Sequence, residues 1–402
     1  MSAWIQRIET SVPPTVYPRE RASELMQAHA TDRRGVRRII RSIYRNSGID
    51  KRHSVIDDWG EGTRSTESGL APLFFRPGDE GDGGEGGEGE GGAGRKGAGA
   101  SEGDVLLPTP GTGVRNQVYT REARRHFEIL ARALLDGAPD VEPAQVTHVI
   151  TISCTGFFAP GPDIHVVQAL GLPASTQRYH VGFMGCYAAF QGLRMAESFC
   201  RADPDAVVLV LSVELCTLHL QFTEETDDLI AGAVFADGGA GALVRGRRPD
   251  GPSLATESFH TALAPEGADD MAWTIGDHGF RMKLSTYVPQ IIESKLDTVL
   301  SGLLGPDGPH PLDIPWWAIH PGGRQILDRV RDSMGLEPRR MEASRHVLRN
   351  YGNMSSATIL FVLAELLHGT STPSRPSPGD QVLALAFGPG LTIESGLFHL
   401  ED

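Results

Sequence analysis

The sequence predicts an α/β protein. Short β-branched runs alternate with stretches of helical periodicity, and strand–Gly-rich turn–helix units occur in both halves of the chain. A hydrophobic share of 40% against 22% charged residues is enough apolar material for sizeable cores. The 402 residues match roughly two to three structural units. Pro249–Pro252 is the natural break, giving an N-terminal half of residues 1–248 and a C-terminal half of residues 249–402.

Taken in order, Tyr119–Leu135 places Ala123, Phe127, Ile129, Leu130, Ala133 and Leu134 at helical spacing, so it reads as a helix. Val146–Ser153, Ala206–Val213, Ala240–Val244 and Val382–Phe387 are short apolar runs, read as buried strands. Tyr187–Arg201 reads as an amphipathic helix after a glycine turn, and Ser355–Leu367, apolar almost all round, as a buried helix. The segment 78–104 has thirteen glycines and eight acids with no large apolar residue, so it is expected to be a disordered loop. Thr370–Asp380, rich in Pro and Ser, reads as a surface loop.

Composition excludes several classes. The net charge of −14 argues against nucleic acid and anionic lipid as partners. The longest apolar stretch, Ala206–Cys216, is far short of the ~20 residues that span a bilayer, and the N-terminus lacks a basic-then-apolar leader. Four cysteines make neither a disulfide framework nor a CxxC pair, and the histidines form no HxxxH pattern. A cytoplasmic protein without a metal site is expected.

Three residues at loop–element junctions carry candidate chemistry. Cys186, in VGFMGCYAA, precedes the Tyr187–Arg201 helix, where the positive end of the helix dipole favours thiolate. The bland fate of a cysteine is a buried small hydrophobe. His320, in WWAIHPGGR, lies where a short strand meets a Pro-Gly-Gly turn. Asn353, in RNYGNMSS, precedes the buried helix and is by itself no more than a helix cap. Together they suggest covalent acyl chemistry, with a thiolate nucleophile, an imidazole partner and an amide donor.

The segments GFMGC, AIHPGG, YGNMSSA and FGPGLTIE, in this order, resemble the type III polyketide synthases of the chalcone synthase family, and in flavour the bacterial members. PGPD, FADG and GDHGFRM add to the match. The resemblance implies a thiolase-like fold, in which two similar βαβ-rich halves form a five-layer α-β-α-β-α arrangement, and a homodimer without a cofactor. It makes Cys186 the acyl carrier, His320 its ion-pair partner, and His320 with Asn353 the donors to an enolate oxygen. Phe235 matches a gatekeeper aromatic, and Met282 stands where the second gatekeeper is usually phenylalanine. Pocket positions fall on Cys154, Thr155, His219, Trp273 and Ser355, and Gly388–Leu391 matches a loop that shapes the cyclisation cavity. Arg45, Lys51 and Arg52 align with a basic segment used for coenzyme A, although a charge run is ordinarily a solvated face.

The function so implied is iterative decarboxylative condensation of malonyl-CoA onto an acyl-CoA starter, then cyclisation. A fatty acyl starter and an alkylpyrone or alkylresorcinol product fit the Met282 gate. A malonyl-primed tetrahydroxynaphthalene-type synthase and a single-round 3-ketoacyl-ACP synthase III are the alternatives. Whether the starter arrives on CoA or on a carrier protein stays open.

Overall fold

The computed structural model describes residues 2–58, 73–77, 104–285, 287–369, 371–372 and 375–402. Its first part runs β1 (Trp4–Ser11), β2 (Thr15–Pro18), α1 (Arg19–Ala30), α2 (Arg34–Asn46), β3 (Lys51–Ser54), β4 (Phe75–Pro77), β5 (Asp104–Leu106) and α3 (Thr112–Asp136). There follow β6 (His148–Ser153), α4 (Pro162–Leu170), β7 (Gln177–Gly182), α5 (Ala188–Ala202), β8 (Val207–Leu215), α6 (Thr226–Val234) and β9 (Asp237–Arg245). The second part runs β10 (Ser253–Leu263), β11 (Met271–Gly276), β12 (Gly279–Leu284), α7 (Val288–Leu304), β13 (Trp316–Ile319) and α8 (Arg324–Met334). It closes with α9 (Glu342–Tyr351), α10 (Thr358–Leu367), β14 (Gln381–Gly388) and β15 (Thr392–Glu401). Of the segment 78–104, residues 78–103 lie outside the described residues, while Asp104 opens β5 and pairs with Pro77 of β4. Thr370, Pro373 and Ser374 of the second expected loop likewise lie outside the described residues.

Nine strands form one mixed sheet in the order β13-β14-β15-β10-β1-β9-β8-β6-β7. Outward from its middle, β1-β9-β8-β6 and β10-β15-β14-β13 repeat one pattern, two antiparallel pairings followed by a parallel one. Strands β1 and β10 join the two repeats through a short antiparallel ladder at Trp4–Ala255 and Ile5–Leu254.

Two-residue periodicity assigns the faces of each strand. In β8, Val208 and Val210 face a cluster built around α5 and α10, while Leu209, Leu211 and Val213 face α3. In β14, Val382, Ala384 and Ala386 face the same central helices, while Leu383, Leu385 and Phe387 pack toward α7 and α8. The central face is rich in alanine, which makes room for two helices between the two arms of the sheet. The layers are therefore α3, sheet, α5 with α10, sheet, and α7 with α8: the expected five. Strand β8 is buried along its whole length because both faces are covered, and so it reads as an unbroken apolar run.

Candidate active site

The central helices aim their N-terminal ends at one place. Cys186 lies two residues before α5, in a turn where Gly185 has φ +86°. A Cβ on Gly185 would sit 2.4 Å from Pro389, and one on Gly388 would sit 2.5 Å from the Tyr187 ring. These glycines let the Gly388–Leu391 loop of the second repeat lie directly on the Cys186 turn. Asn353 precedes the 3-10 turn Ser355–Ala357 that leads into α10. His320 follows β13 and donates its backbone N–H to Leu385 of β14 at 2.8 Å.

Asn353 joins these parts. Its Oδ1 accepts from the Ser355 backbone N–H at 2.8 Å, which braces the turn ahead of α10, although the residues at the N-caps are Met354 and Ala357 and not Asn353 itself. Its side-chain amide donates to the Gly322 carbonyl at 3.4 Å and lies near enough to Cys186 to favour the thiolate. The His320 ring lies against Gly322, within 3.7 Å of where a Cβ on that glycine would stand. Both His320 ring nitrogens are buried without a hydrogen-bond partner. A buried imidazole with two unused nitrogens is costly to keep and marks a group kept free for another purpose. Burial pushes the Cys186 thiol up to about 11 and the His320 imidazole down to about 3. No direct hydrogen bond joins the two, so the ion pair implied by the family is not made in this geometry.

Ser355, held at φ +47°, places its hydroxyl 3.2 Å from the Cys154 thiol and also favours the thiolate of Cys186. Cys154 is thereby buried beside the nucleophile candidate, and burial raises its pKa far above that of an ordinary thiol. Trp273 donates its indole N–H to the Cys154 carbonyl at 2.7 Å. Phe235 and Met282 line a cavity of about 30 Å³ with Cys216, His219 and Trp273. His219 donates from Nε2 to the Thr155 carbonyl at 2.7 Å and accepts at Nδ1 from the Phe280 N–H at 3.0 Å. With both nitrogens used and burial holding it down to about 3, His219 is a neutral wall. Thr155 turns its hydroxyl away from the cavity, onto Glu214 at 2.7 Å.

The three basic residues separate. Arg52 is buried and its guanidinium donates to the Gly232 and Ala233 carbonyls at 2.6 and 2.9 Å, tying down the end of α6. It is structural and cannot contact coenzyme A. Arg45 and Lys51 are exposed, and neither lines the cavity of about 300 Å³ that opens between α2, Val288 and Gly322–Gly323 beside the site.

Glu214 is the residue that the sequence reading passed over. Its carboxylate is fully buried at the end of β8 and accepts from the Cys154 N–H at 3.0 Å, from the hydroxyls of Ser153 and Thr155, and from Ser356. It pins the Cys154 turn to the turn before α10. The signal was present: a lone acid inside an apolar strand is not a neutral interruption, because an unpaired buried charge is costly.

Residues 129–249 match the N-terminal domain of the chalcone and stilbene synthases, and residues 256–400 the C-terminal domain. The chain belongs to this family and is a type III polyketide synthase, an acyl-transferring enzyme. It is 32% identical over 305 residues to the alpha-pyrone synthesis polyketide synthase-like Pks18 of Mycobacterium tuberculosis, covering 74% of this chain and 76% of that protein. Among solved structures, PKS-I from the brown alga Ectocarpus siliculosus superposes with a TM-score of 0.84 at 26% identity, covering 99% of this chain and 98% of that one. The 1,3,6,8-tetrahydroxynaphthalene synthase of Streptomyces coelicolor superposes with a TM-score of 0.80, also at 26% identity and over 99% of both chains. Among the described residues no helix is long and apolar enough to cross a membrane, and no cluster of His, Cys, Asp and Glu is arranged to hold a metal ion.

Replacing Glu214 by leucine strands the donors of Ser153, Cys154, Thr155 and Ser356, and is expected to cost about 3 kcal/mol in urea unfolding. Glu214→Gln, which still accepts, is expected to lose less than half of that. Equal losses in the two variants would show that the network is not what Glu214 supplies.

Proposed function

We propose that this synthase loads an acyl-CoA starter on Cys186, extends it with malonyl-CoA and releases an alkylpyrone. The reading rests on the partnerless, buried His320 beside Asn353 and Cys186. Loading breaks the starter's C–S bond to CoA and forms a thioester on Cys186. The thiol proton moves to His320 and then to the departing CoA sulfur. Neither group ionises alone near neutrality; as a pair, each charge offsets the other's desolvation. Loss of CO₂ from malonyl-CoA then leaves its electron pair as an enolate, whose oxygen takes hydrogen bonds from His320 and the Asn353 amide. Such donors in a dry cavity are each worth about 3 kcal/mol. The enolate carbon attacks the Cys186 thioester, forms the C–C bond and frees the thiolate, leaving the extended chain on CoA; the thiolate then takes that chain back by displacing CoA, and the cycle repeats. Ring closure through an enol oxygen onto the terminal thioester expels CoA and gives the pyrone.

The product class is supported by the pyrone-forming role named for the mycobacterial relative. The resting cavity of about 30 Å³ behind Phe235 and Met282 has room for about one water. A fatty acyl chain enters only when neighbouring side chains swing aside, and Met282, unbranched and flexible, is suited to that movement. In the cytoplasm all four thiols stay reduced.

With labelled malonyl-CoA and starters from acetyl- to stearoyl-CoA, mass spectrometry is expected to find several labelled units in a lactone made from a fatty acyl starter. A naphthalene made from malonyl-CoA alone, or a single extension, would overturn the product assignment. Cys186→Ala is expected to abolish polyketide while retaining part of the malonyl-CoA decarboxylation.

The pH dependence tests the pair. In His320→Ala, Cys186 keeps only its buried environment, so iodoacetamide should modify it about tenfold faster for each unit of pH between 7 and 10. Wild-type enzyme is expected to react well below pH 8 with little further rise. Superimposable profiles would remove His320 from thiol activation.

We further infer a homodimer. Strand β7 is a free sheet edge with mostly exposed residues, and Phe157 and Phe183 beside it are 51% and 39% exposed. Light scattering on the purified protein is expected to give twice the chain mass of 43.3 kDa, and Phe157→Asp to weaken the association. A monomer at micromolar concentration would refute it.

A further inference from the structure

Helix α2 is out of keeping with the rest of this acidic chain. It carries five arginines and no acid. Arg34, Arg38, Arg41 and Arg45 fall at i, i+4, i+7 and i+11, hence on one stripe, and all four are exposed. Among the described residues no carboxylate forms a salt bridge with any of them; Arg41 reaches only the Gln27 amide oxygen, at 3.1 Å. The neighbouring acids Glu20 and Glu24 are turned to Arg19 and Arg21. On the adjoining stripe, Ser42, Ile43 and Asn46 line the 300 Å³ cavity that leads past Gly322 toward the catalytic candidates. Ile39, on that adjoining stripe between Asn46 and Ile43, is 55% exposed.

From this arrangement we infer that the α2 arginine stripe docks an acidic acyl carrier protein, whose phosphopantetheine arm then delivers the starter through the cavity to Cys186. The inference rests on the synthase reading and adds a partner to it. Three features distinguish a protein from free coenzyme A. The stripe is about 16 Å long, at 1.5 Å per residue, which fits the side of a partner helix better than the clustered phosphates of one nucleotide. An exposed isoleucine on the face next to the arginine stripe suits a protein interface, where desolvated apolar contact accompanies steering charge. The cavity itself offers one cation, Arg324, held only loosely by Asp328 at 3.9 Å. One guanidinium matches the single phosphodiester of a pantetheine arm, whereas coenzyme A brings a pyrophosphate and a further phosphate.

The test compares two donors of the same lauroyl group, lauroyl-CoA and a purified acidic acyl carrier protein bearing lauroyl-phosphopantetheine. The readout is the rate of acylation of Cys186, followed by intact-protein mass. Wild-type enzyme is expected to be loaded by both. Arg38→Glu with Arg41→Glu should slow loading from the carrier at least about tenfold, and loading from CoA by less than about twofold. Should the reversed-charge variant misfold, Arg38→Gln with Arg41→Gln is expected to give the same selective loss at about threefold. Equal loss from both donors would assign the stripe to coenzyme A and overturn the inference, as would a wild-type enzyme loaded by CoA and not by the carrier. If neither donor acylates Cys186, the synthase reading fails together with the docking inference.

Discussion

The site depends on how Asn353 is held. Its backbone N–H donates to the Val234 carbonyl at 3.0 Å, and its carbonyl accepts from Ala236 at 2.9 Å, an isolated parallel bridge around Phe235. The bridge crosses between the two sheet repeats, since 234–236 leads from α6 into β9 and 353 leads into α10. Because the backbone is fixed by that bridge and Oδ1 by the Ser355 N–H, only the amide nitrogen is free to face Cys186. The gate residue Phe235 and the amide donor are thereby placed by the same two hydrogen bonds. The proposed enolate donor and a residue that lines the inner cavity are therefore tied together by one bridge.

The central layer explains why so polar a site can be kept so dry. A sheet face rich in alanine brings α5 and α10 close, and their apolar sides bury Phe190, Leu193, Leu360 and Leu363 completely or nearly so. A strongly packed core at close to crystal density bears the cost of two unbonded imidazole nitrogens and a buried carboxylate. The turns before these two helices are also where backbone conformations are unusual: Ser355 at φ +47° and Phe183 at φ +59°, both non-glycine. Positive φ at such residues persists only where the surroundings over-determine it, and here both lie within three residues of Cys186 or Asn353.

Much of this was legible in the sequence, and the reasons differ by residue. Strands β6, β8 and β14 could be read because both faces are buried, which removes the need to guess which face is polar. The start of α3 could not: it begins at Thr112, a full two turns before the apolar periodicity appears at Tyr119. Those turns hold Arg115, wholly buried, with its guanidinium on the carbonyls of Pro110, Leu218 and Leu220. A charged residue satisfied by carbonyls far away along the chain carries no periodic signal. Arg52 misled for the same reason, since its partners lie at the end of α6. That Cys186, His320 and Asn353 sit at element ends was legible because each has a glycine or a turn next to it, and turn chemistry is local. Glu214 needed the opposite inference, from a polar residue in the wrong place to the partners it must have.

The inner cavity offers less chemistry than its residue types suggest. His219 has both nitrogens engaged and is held neutral, so it neither donates to nor withdraws a proton from a chain folded against it. Thr155 is turned to Glu214, and Trp273 has committed its N–H to the Cys154 carbonyl. Cys154 and Ser355, beside this cavity, are paired with each other, and burial keeps that thiol protonated. Asp228, which does line it, accepts from Arg281 and from the Thr223 hydroxyl, both at 2.7 Å, so a growing poly-β-keto chain meets polar groups that are mostly committed to other partners. Which carbonyl closes on which carbon must then follow from shape, set by the Phe235–Met282 constriction and by the Pro389 loop lying on Gly185. The bridge at Asn353 holds Phe235, so the residue proposed to donate to each new enolate also holds one side of that constriction.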